Sequence, residues 1–412
     1  MATTSTFDAM LKQYAPNELF REEMIKRDWF LKTFERDDTW LSGDLLVPFK
    51  GASASSIKAG SLVTDTDIAE SVYVKGSITS QPEIWGALIF NEKDLMRHGK
   101  INEQNFLKLL PGEIEDFLQF MQMGVSLAFT NGPKLATATD DTNRATGIYI
   151  VNRVERFELG QKLMIDDDNS AALAVYVIAI NMETDAVTFS LTRGGAAADL
   201  TAYTVAQNAV FYIDGMDVGA NQLTSLKSSL LSAANGGSAT LYGQTKLAYP
   251  YLQAINISGA TISASNILDK LFEAQTKIRN KGKGNPDTLV MSYKHLGSIL
   301  AKLEALKGAF RMADSMKASQ FGWTEVEIVG VKGSLKVVAI QEMDDDYICV
   351  LDKSAIKIYS NGFFKKRVGP DGLEYFTQRA TSGYKYIVDL CFFGDAVLER
   401  PSRCGIIYAI SY

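Results

Sequence analysis

The sequence of 412 residues contains few of the side chains that build metal sites or disulfide frameworks. Its cysteines are Cys349, Cys391 and Cys404, and its histidines are His98 and His295. An odd number of cysteines without CxxC spacing predicts buried free thiols in a protein made in a reducing compartment. The two histidines are far apart in sequence, so they do not suggest a catalytic pair or a metal site. We therefore expect no metal and no cofactor.

Motifs for nucleotide binding and nucleophilic catalysis are also absent from the sequence. Residues 193–195 are not followed by the Lys-Ser/Thr pair of a P-loop, and residues 236–243 are too irregular for a dinucleotide-binding fingerprint. There is no GxSxG elbow. Without a nucleophile, base and metal constellation, the sequence argues against an enzyme.

Long apolar runs are missing as well. No run approaches the roughly 18 residues of a membrane span, and residues 1–7 do not resemble a signal peptide. We expect a chain that is soluble in the cytoplasm when made and does not enter a membrane. The net charge of −6 argues against a protein that grips nucleic acid tightly, although a surface could still face it.

The chain has ample apolar material for a core, with 46% hydrophobic and 22% charged residues, and its length predicts two or three domains. Residues 1–43 form a charged segment that carries Trp29, Phe34 and Trp40. Two extended segments around a small-residue tip then predict a long β-hairpin in residues 44–90. This hairpin has too few large apolar residues to bury itself, so it needs a partner surface.

Residues 107–131 form the clearest helix. Pro111 suits a first turn, apolar residues recur at helical spacing from Ile114 to Phe129, and residues 131–133, Asn-Gly-Pro, end the pattern. Residues 147–214 are β-rich and predict a small all-β module inserted in a larger domain. An α/β pattern follows, and residues 355–412 are again β-rich.

Two acidic runs, residues 166–169 and 344–346, contain the oxygen ligands that Ca²⁺ prefers. Their spacing does not match an EF-hand loop, and no glutamate closes either run at the required distance. Solvated turns are the better interpretation. The basic residues 277–283 could touch DNA, but a solvated helix end explains them more simply.

The order of these elements resembles the major capsid proteins of tailed bacteriophages, which share the HK-type or Johnson fold. The resemblance rests on residues 43–85, on the helix 107–131, and on four segments: GQTKLAYPYLQA (243–254), NPDTLVMSYKHLGSIL (285–300), GSLKVVAIQEMDDDYICVLDKSAIKI (333–358) and LEYFTQRATSGYKYIVDLCFFGDAVLERP (373–401). These are patterns of order and spacing, and the β module departs from the minimal plan of the family.

The resemblance implies an α+β fold with six parts. They are an N-terminal arm (1–43), an E-loop hairpin (44–90), a P-domain with a spine helix (91–146), the inserted all-β module (147–214), an axial A-domain (215–354), and a return to the P-domain sheet with a C-terminal strand (355–412). It further implies a structural virion protein, assembled in the host cytoplasm into hexamers and pentamers of an icosahedral shell. The shell would enclose double-stranded DNA without sequence-specific binding, and its partners would be a portal and scaffolding or decoration proteins.

We expect contacts between subunits at two places. The arm would contribute Trp29, Phe34 and Trp40, and the E-loop would contribute Leu62, Val63, Val72 and Tyr73. Truncation before residue 43 should block assembly and leave a folded subunit. Some family members cross-link a lysine to an asparagine, for which Lys58 and Asn361 are the candidates here, although Asn361-Gly362 is also typical of a tight turn.

Two other interpretations stay open. The chain could be the shell protein of an encapsulin-like cellular nanocompartment with the same fold. It could also be a tail or glycan-binding structural protein built around the β module.

Overall fold

The structure is a computed structural model of the chain. It describes residue 12 and residues 28–40, 43–50, 73–78, 82–91, 103–132, 134–140, 142–166, 173–201, 209–215, 223–260, 266–307, 326–330, 333–380 and 383–410. Among these residues, no helix combines the length and apolarity that crossing a bilayer requires.

The helices are α1 (Trp29–Thr33), α2 (Glu103–Thr130), α3 (Leu226–Leu230), α4 (Ile267–Lys277) and α5 (Tyr293–Lys307). The strands are β1 (Glu35–Asp37), β2 (Leu45–Lys50), β3 (Tyr73–Ile78), β4 (Glu83–Asn91), β5 (Lys134–Asp140), β6 (Ile148–Val151), β7 (Lys162–Asp166), β8 (Leu173–Asn181), β9 (Ala186–Ser190), β10 (Val210–Ile213), β11 (Thr240–Leu241), β12 (Gln244–Thr245), β13 (Ile255–Ser258), β14 (Thr288–Met291), β15 (Val326–Gly330), β16 (Gly333–Ala339), β17 (Tyr347–Leu351), β18 (Ile356–Lys366), β19 (Phe376–Ala380), β20 (Gly383–Leu398) and β21 (Gly405–Tyr408).

The long helix α2 packs on one face of a five-stranded sheet. The strands run in the order β1-β18-β20-β19, and β4 pairs with β20. Ile114, Leu118, Met121 and Val125 are buried along one stripe of α2 at helical spacing. On β4, a Cβ at Gly86 would lie 2.1 Å from the Met121 sulfur, so any larger residue would force the Met121 side chain to move. The helix therefore sits close against the sheet backbone.

Strands β5 to β10 form a closed barrel in the order β10-β5-β6-β9-β8-β7. Its core is built around the rings of Tyr149, Phe157, Phe189 and Phe211. The barrel begins at Lys134 and so takes in residues before the predicted module of 147–214. Strand β5 gives little signal in the sequence because its buried positions include the small residues Ala136 and Ala138, but it closes the barrel by joining β10 to β6.

A six-stranded mixed sheet, in the order β13-β21-β17-β14-β16-β15, separates two apolar cores. Strand β17 shows the alternation expected of such a strand. Tyr347, Cys349 and Leu351 belong to the core shared with α2, whereas Ile348 and Val350 belong to the core under α4 and α5. This sheet holds α4 and α5 on one face and the spine side of the molecule on the other.

The last strand, β21, lies inside this six-stranded sheet, between β13 and β17. The sequence predicted a return to the P-domain sheet and a C-terminal strand in residues 355–412, and β21 is a strand at that place. Ile406 and Ile407 are both fully buried, and a strand that buries both of its faces belongs in the middle of a sheet.

The predicted E-loop region contains two separate structures. Strands β2 and β3 pair with each other as an antiparallel hairpin, and residues 51–72 between them lie outside the described residues. Strand β4, in contrast, pairs with β20 along its whole length. The predicted bounds of 44–90 therefore include a strand that belongs to the sheet under α2.

The end of the predicted arm is folded into the core. Asp28 caps α1, and the ring of Phe30 stacks on Phe129 of α2 at 4.5 Å. Leu31 is also fully buried. A truncation before residue 43 would remove these side chains, so the expectation that it leaves a folded subunit does not fit the packing.

Candidate assembly surfaces and a charged junction

The hairpin of β2 and β3 has one face that packs on the protein and one face that is exposed. Val47 and Phe49 point inward, where the ring of Phe49 stacks on Tyr242 at 5.6 Å. A Cβ at Gly76 would lie 2.6 Å from the Phe49 ring, so only glycine permits this approach. On the opposite face, Leu46 is 59% exposed and Tyr73 is 68% exposed. The hairpin is thus fixed at its base while its outer face has no cover among the described residues.

A second exposed aromatic lies on the outer face of strand β4. Trp85 is 49% exposed. Its indole Nε1 donates to Glu83 Oε2 at 2.9 Å, and its ring meets Phe393 edge-on at 6.0 Å. Sequence reasoning missed this residue because β4 is apolar at almost every position, so the alternation gave no way to tell the outer face from the inner one.

The acidic run 344–346 is a charged junction between three parts of the fold, and not the solvated turn that the sequence suggested. Asp344 pairs with Arg156 at 2.9 Å, Asp345 with Arg153 at 2.6 Å and Asp346 with Lys227 at 2.8 Å. The arginines belong to the barrel, and the lysine lies on α3. Each carboxylate of the run therefore has a cationic partner from another element.

Arg156 is the centre of this junction, since its side chain is only 1% exposed. Its guanidinium also donates to the carbonyls of Leu135 and Glu342, each at 2.8 Å. A buried cation is tolerated only where such partners replace water. Arg156 therefore fastens the barrel to the loop that leads into β17.

Asn131, just after the end of α2, adds the spine helix to the same junction. Its side-chain amide donates to the carbonyl of Glu342, and its oxygen accepts from the hydroxyl of Tyr347. Full burial raises the pKa of Tyr347 well above the ordinary value, so this hydroxyl stays protonated as a donor. The spine helix, the barrel and the six-stranded sheet are thus held at one point.

Two buried carboxyl groups hold loops onto the same core. Asp28 Oδ1 accepts from the backbone N–H groups of Phe30 and Leu31. Asp395 accepts from Thr224 through both its backbone N–H, at 2.7 Å, and its hydroxyl, at 2.6 Å. Burial raises the pKa of each carboxyl to about 7.

Comparison with solved structures shows which known fold this architecture resembles. The chain superposes on the structure described as the Cyanophage A-1(L) capsid asymmetric unit with a TM-score of 0.52, covering 92% of this chain and 91% of that one at 10% identity. The chain adopts the tailed-phage major capsid fold. The fold class predicted from the sequence is thereby confirmed. The division into arm, E-loop, P-domain and A-domain stays a prediction, and we use spine helix for α2, E-loop base for the β2–β3 hairpin and A-domain for the six-stranded sheet with α4 and α5 as labels for its parts.

Other capsid structures are similar over most of the chain but at lower scores. The capsid of a native GTA particle has a TM-score of 0.46 at 9% identity, covering 92% of this chain and 89% of that one. A virus-like particle from Pyrococcus furiosus has a TM-score of 0.38 at 8% identity, with 94% and 96% covered. These two scores are too low to add to the assignment of the fold. No protein-family model and no curated protein matches the sequence.

The E-loop residues chosen from the sequence lie mostly outside the described residues. This applies to Leu62, Val63, Val72 and the cross-link candidate Lys58. Tyr73 is described and is more exposed than Leu46, the other large exposed hydrophobic side chain of the hairpin. Leu46 lies on the same face and was not chosen, because the sequence gave no register for the two strands.

The arm residues lie against their own chain. Phe34 and Trp40 are buried, and the indole of Trp29 donates to Ser126 on the spine helix at 2.9 Å. Trp40 donates to the carbonyl of Gly43, also at 2.9 Å. Their contact with a neighbouring subunit stays a prediction, and each has little surface left to make one.

Asn361 lies in a bulge of strand β18 and not in a hairpin turn. The register between β18 and β20 shifts between Tyr359 and Phe363, and Gly362 and Phe363 both have positive φ. Lys365 Nζ donates to Asn361 Oδ1 at 3.1 Å. The cross-link with Lys58 stays a prediction.

The remaining candidates for metal or acid–base chemistry are dispersed. Within the described residues, no group of three or more metal-ligating side chains is brought together. His295 is buried, which lowers its pKa to about 4 and keeps the ring neutral. His98 and most of the acidic run 166–169 lie outside the described residues.

Proposed function

We propose that this chain is the structural subunit of an icosahedral phage head. The observation that carries the proposal is the fold, which matches the Cyanophage A-1(L) capsid over more than nine-tenths of both chains. In this proposal, copies associate into hexamers and pentamers that close into a shell around double-stranded DNA. The protein is then a virion component and not an enzyme.

The bare outer face of the E-loop base supports this proposal. Leu46 and Tyr73 are large apolar side chains that the described residues leave exposed on a hairpin that is itself firmly anchored. Burial of such a side chain by a neighbour contributes about 1.5–3 kcal/mol. The contribution recurs at each copy, and many modest contacts acting together stabilise a closed assembly.

Other partners belong to the same proposal. A closed head with a DNA entry point requires a portal, and scaffolding or decoration proteins would set its size and outer surface. The DNA would be enclosed without sequence-specific contacts.

Electron microscopy of the purified chain after size-exclusion chromatography tests the proposal. We expect closed shells, tubes or six-fold rings, formed by the chain alone or with a co-expressed scaffold. The shell diameter would separate a phage head from a small, uniform nanocompartment. A chain that stays a monomer or a trimer under both conditions would contradict the proposal and favour a tail or glycan-binding protein.

A further inference from the structure

A basic turn follows helix α4 in the A-domain. We use this name for residues 277–283, which contain Lys277, Arg279, Lys281 and Lys283 and no acidic residue. Lys277 is neutralised by Glu273, 2.6 Å away on the preceding helical turn. Lys281 and Lys283 are exposed, and neither forms an ion pair with any residue that the structure describes. The helix dipole and Glu273 thus explain the position of Lys277, but they do not explain the two lysines that follow it.

The backbone of the basic turn is held rigidly. Ile278, at its start, is fully buried in the A-domain core. A Cβ at Gly282 would lie 1.8 Å from the carbonyl oxygen of Ser402, and one at Gly284 would lie 2.6 Å from that of Arg403. The turn is therefore pressed directly on the backbone of residues 401–403, and its lysines project from a fixed base.

A further cation comes from the neighbouring segment. Arg403 Nη1 donates to Ser354 Oγ at 3.2 Å, and its guanidinium is 4.0 Å from the carboxylate of Asp352. Asp352 is buried and accepts from the backbone N–H groups of Asn285 and Ser354. The carboxylate of Asp352 therefore holds these loops together, and it contributes little to neutralising the exposed lysines.

Charge is segregated along the chain. Residues 134–214, which include the barrel, contain eleven acidic and six basic residues, so they carry most of the net charge of −6. A polyanion would be repelled by the barrel and attracted to the basic turn. The two surfaces therefore favour opposite environments within one subunit.

We propose that the basic turn, with Arg403, binds the phosphate backbone of double-stranded DNA. Flexible lysines act as point charges, which suits phosphate contacts that do not depend on sequence. The turn has no aromatic side chain on which an unpaired base could stack, so a duplex fits it better than a single strand. This inference deepens the proposed function, because it assigns the residues that would meet the enclosed DNA.

The test compares DNA binding by unassembled subunits of four proteins. They are the wild type, the double variant K281Q/K283Q, the single variant K283G, and the control K162Q/R193Q, which removes two exposed cations from the barrel. The probe is a fluorescently labelled 30-base-pair duplex of random sequence, titrated at several salt concentrations. Lys283 has a φ of +54°, which glycine adopts without strain, so K283G removes the charge without endangering the fold.

We expect K281Q/K283Q to bind about tenfold more weakly than the wild type, with a salt slope about 2 units smaller, since each lost phosphate contact removes nearly one unit. K283G should show about half of that slope change, and the barrel control should bind like the wild type. Equal binding by all four proteins, or an equal loss in the barrel control, would overturn the inference.

Two further outcomes are separable. If polyglutamate binds the turn and the duplex does not, the partner is an acidic polypeptide and the DNA assignment is wrong. If the subunits bind DNA as expected but never assemble, the proposed capsid function fails while this inference stands. If shells form but the duplex does not bind, the reverse holds.

Discussion

At the scale of single residues, the stability of the charged junction depends most on one side chain, that of Arg156. Arg156 satisfies Asp344 and the carbonyls of Leu135 and Glu342 at once. Lys227 also approaches Asp344, but only to 3.7 Å. Loss of the guanidinium would leave a largely buried carboxylate and two carbonyls without their main donor.

We therefore predict that Arg156→Met lowers the free energy of unfolding by about 3–5 kcal/mol, as is typical when one partner of a buried ion pair is removed. Arg153→Met is the matched control, three residues earlier, and should cost less than Arg156→Met because its pair with Asp345 is more exposed. Urea denaturation of unassembled subunits measures both. Similar losses in the two variants would mean that burial does not set the strength of the junction.

The raised pKa of Asp395 predicts a pH dependence. Its folded pKa of about 7 lies above the ordinary aspartate value of 3.8, so the folded state holds the proton more tightly than the unfolded state. The contribution of this group to stability is therefore full below pH 4 and is lost as the pH rises towards 7. The slope is on the order of 1.4 kcal/mol per pH unit over that window.

Asp395→Asn tests this pH dependence, since it mimics the neutral acid and can still bond to Thr224. We expect the variant to become more stable relative to the wild type as the pH is raised from 4 to 7.5. Asp140→Asn is the control, because hydrogen bonds from Thr142 lower the pKa of Asp140, so its own pH dependence lies at more acidic pH and its stability curve should run nearly parallel to that of the wild type over this range. Parallel stability curves for the wild type and Asp395→Asn would contradict the prediction.

The sequence could not predict which residues far apart along the chain form ion pairs with each other. Arg156 and Asp344 are 188 positions apart, and nothing in either local pattern selects the other. The acidic run 344–346 was recognised, but its composition alone is equally typical of a solvated turn. Only the closing of the barrel against the A-domain brings the arginines to it.

At the scale of elements, we expect the inner face of the E-loop hairpin to serve the folding of the subunit and the outer face to serve assembly. Its inner face is part of a core with Tyr242, whereas Leu46 and Tyr73 on its outer face are exposed. Substitutions on the two faces should therefore have different effects.

We predict that L46S/Y73S leaves the unfolding free energy of the subunit within about 0.5 kcal/mol of the wild type, as for other surface changes, but reduces or abolishes shell formation. Val47→Ala on the inner face is the control, and it should destabilise the subunit itself. Size-exclusion chromatography and electron microscopy measure assembly. Normal shells from L46S/Y73S would remove this face from the interface.

The sequence predicted individual elements well where the pattern was strong. The helix predicted over residues 107–131 is α2 (Glu103–Thr130), which differs from the prediction only at its ends. Prediction failed where short segments of small or uniformly apolar residues depend on their neighbours, as in β5 and β4. Strand order depends on such long-range pairing, so it could not be read from local periodicity.

At the scale of the whole molecule, the order of arm, hairpin, spine helix, inserted module and axial domain sufficed to predict the fold class. The same order did not predict which sheet each strand joins. β21 lies in the six-stranded sheet and β4 in the sheet under α2, because the chain crosses between the two sheets more often than a linear division into domains allows. The exposed surfaces could be predicted only where the sequence also gave the register.

The position of β21 also determines when, during synthesis, the six-stranded sheet can complete its folding. Residues 405–408 lie between β13 and β17, and their side chains complete the cores on both sides of the sheet. During synthesis, the spine helix and the barrel can form while the axial sheet is still missing an inner strand. The six-stranded sheet is therefore complete only after residue 408 has left the ribosome.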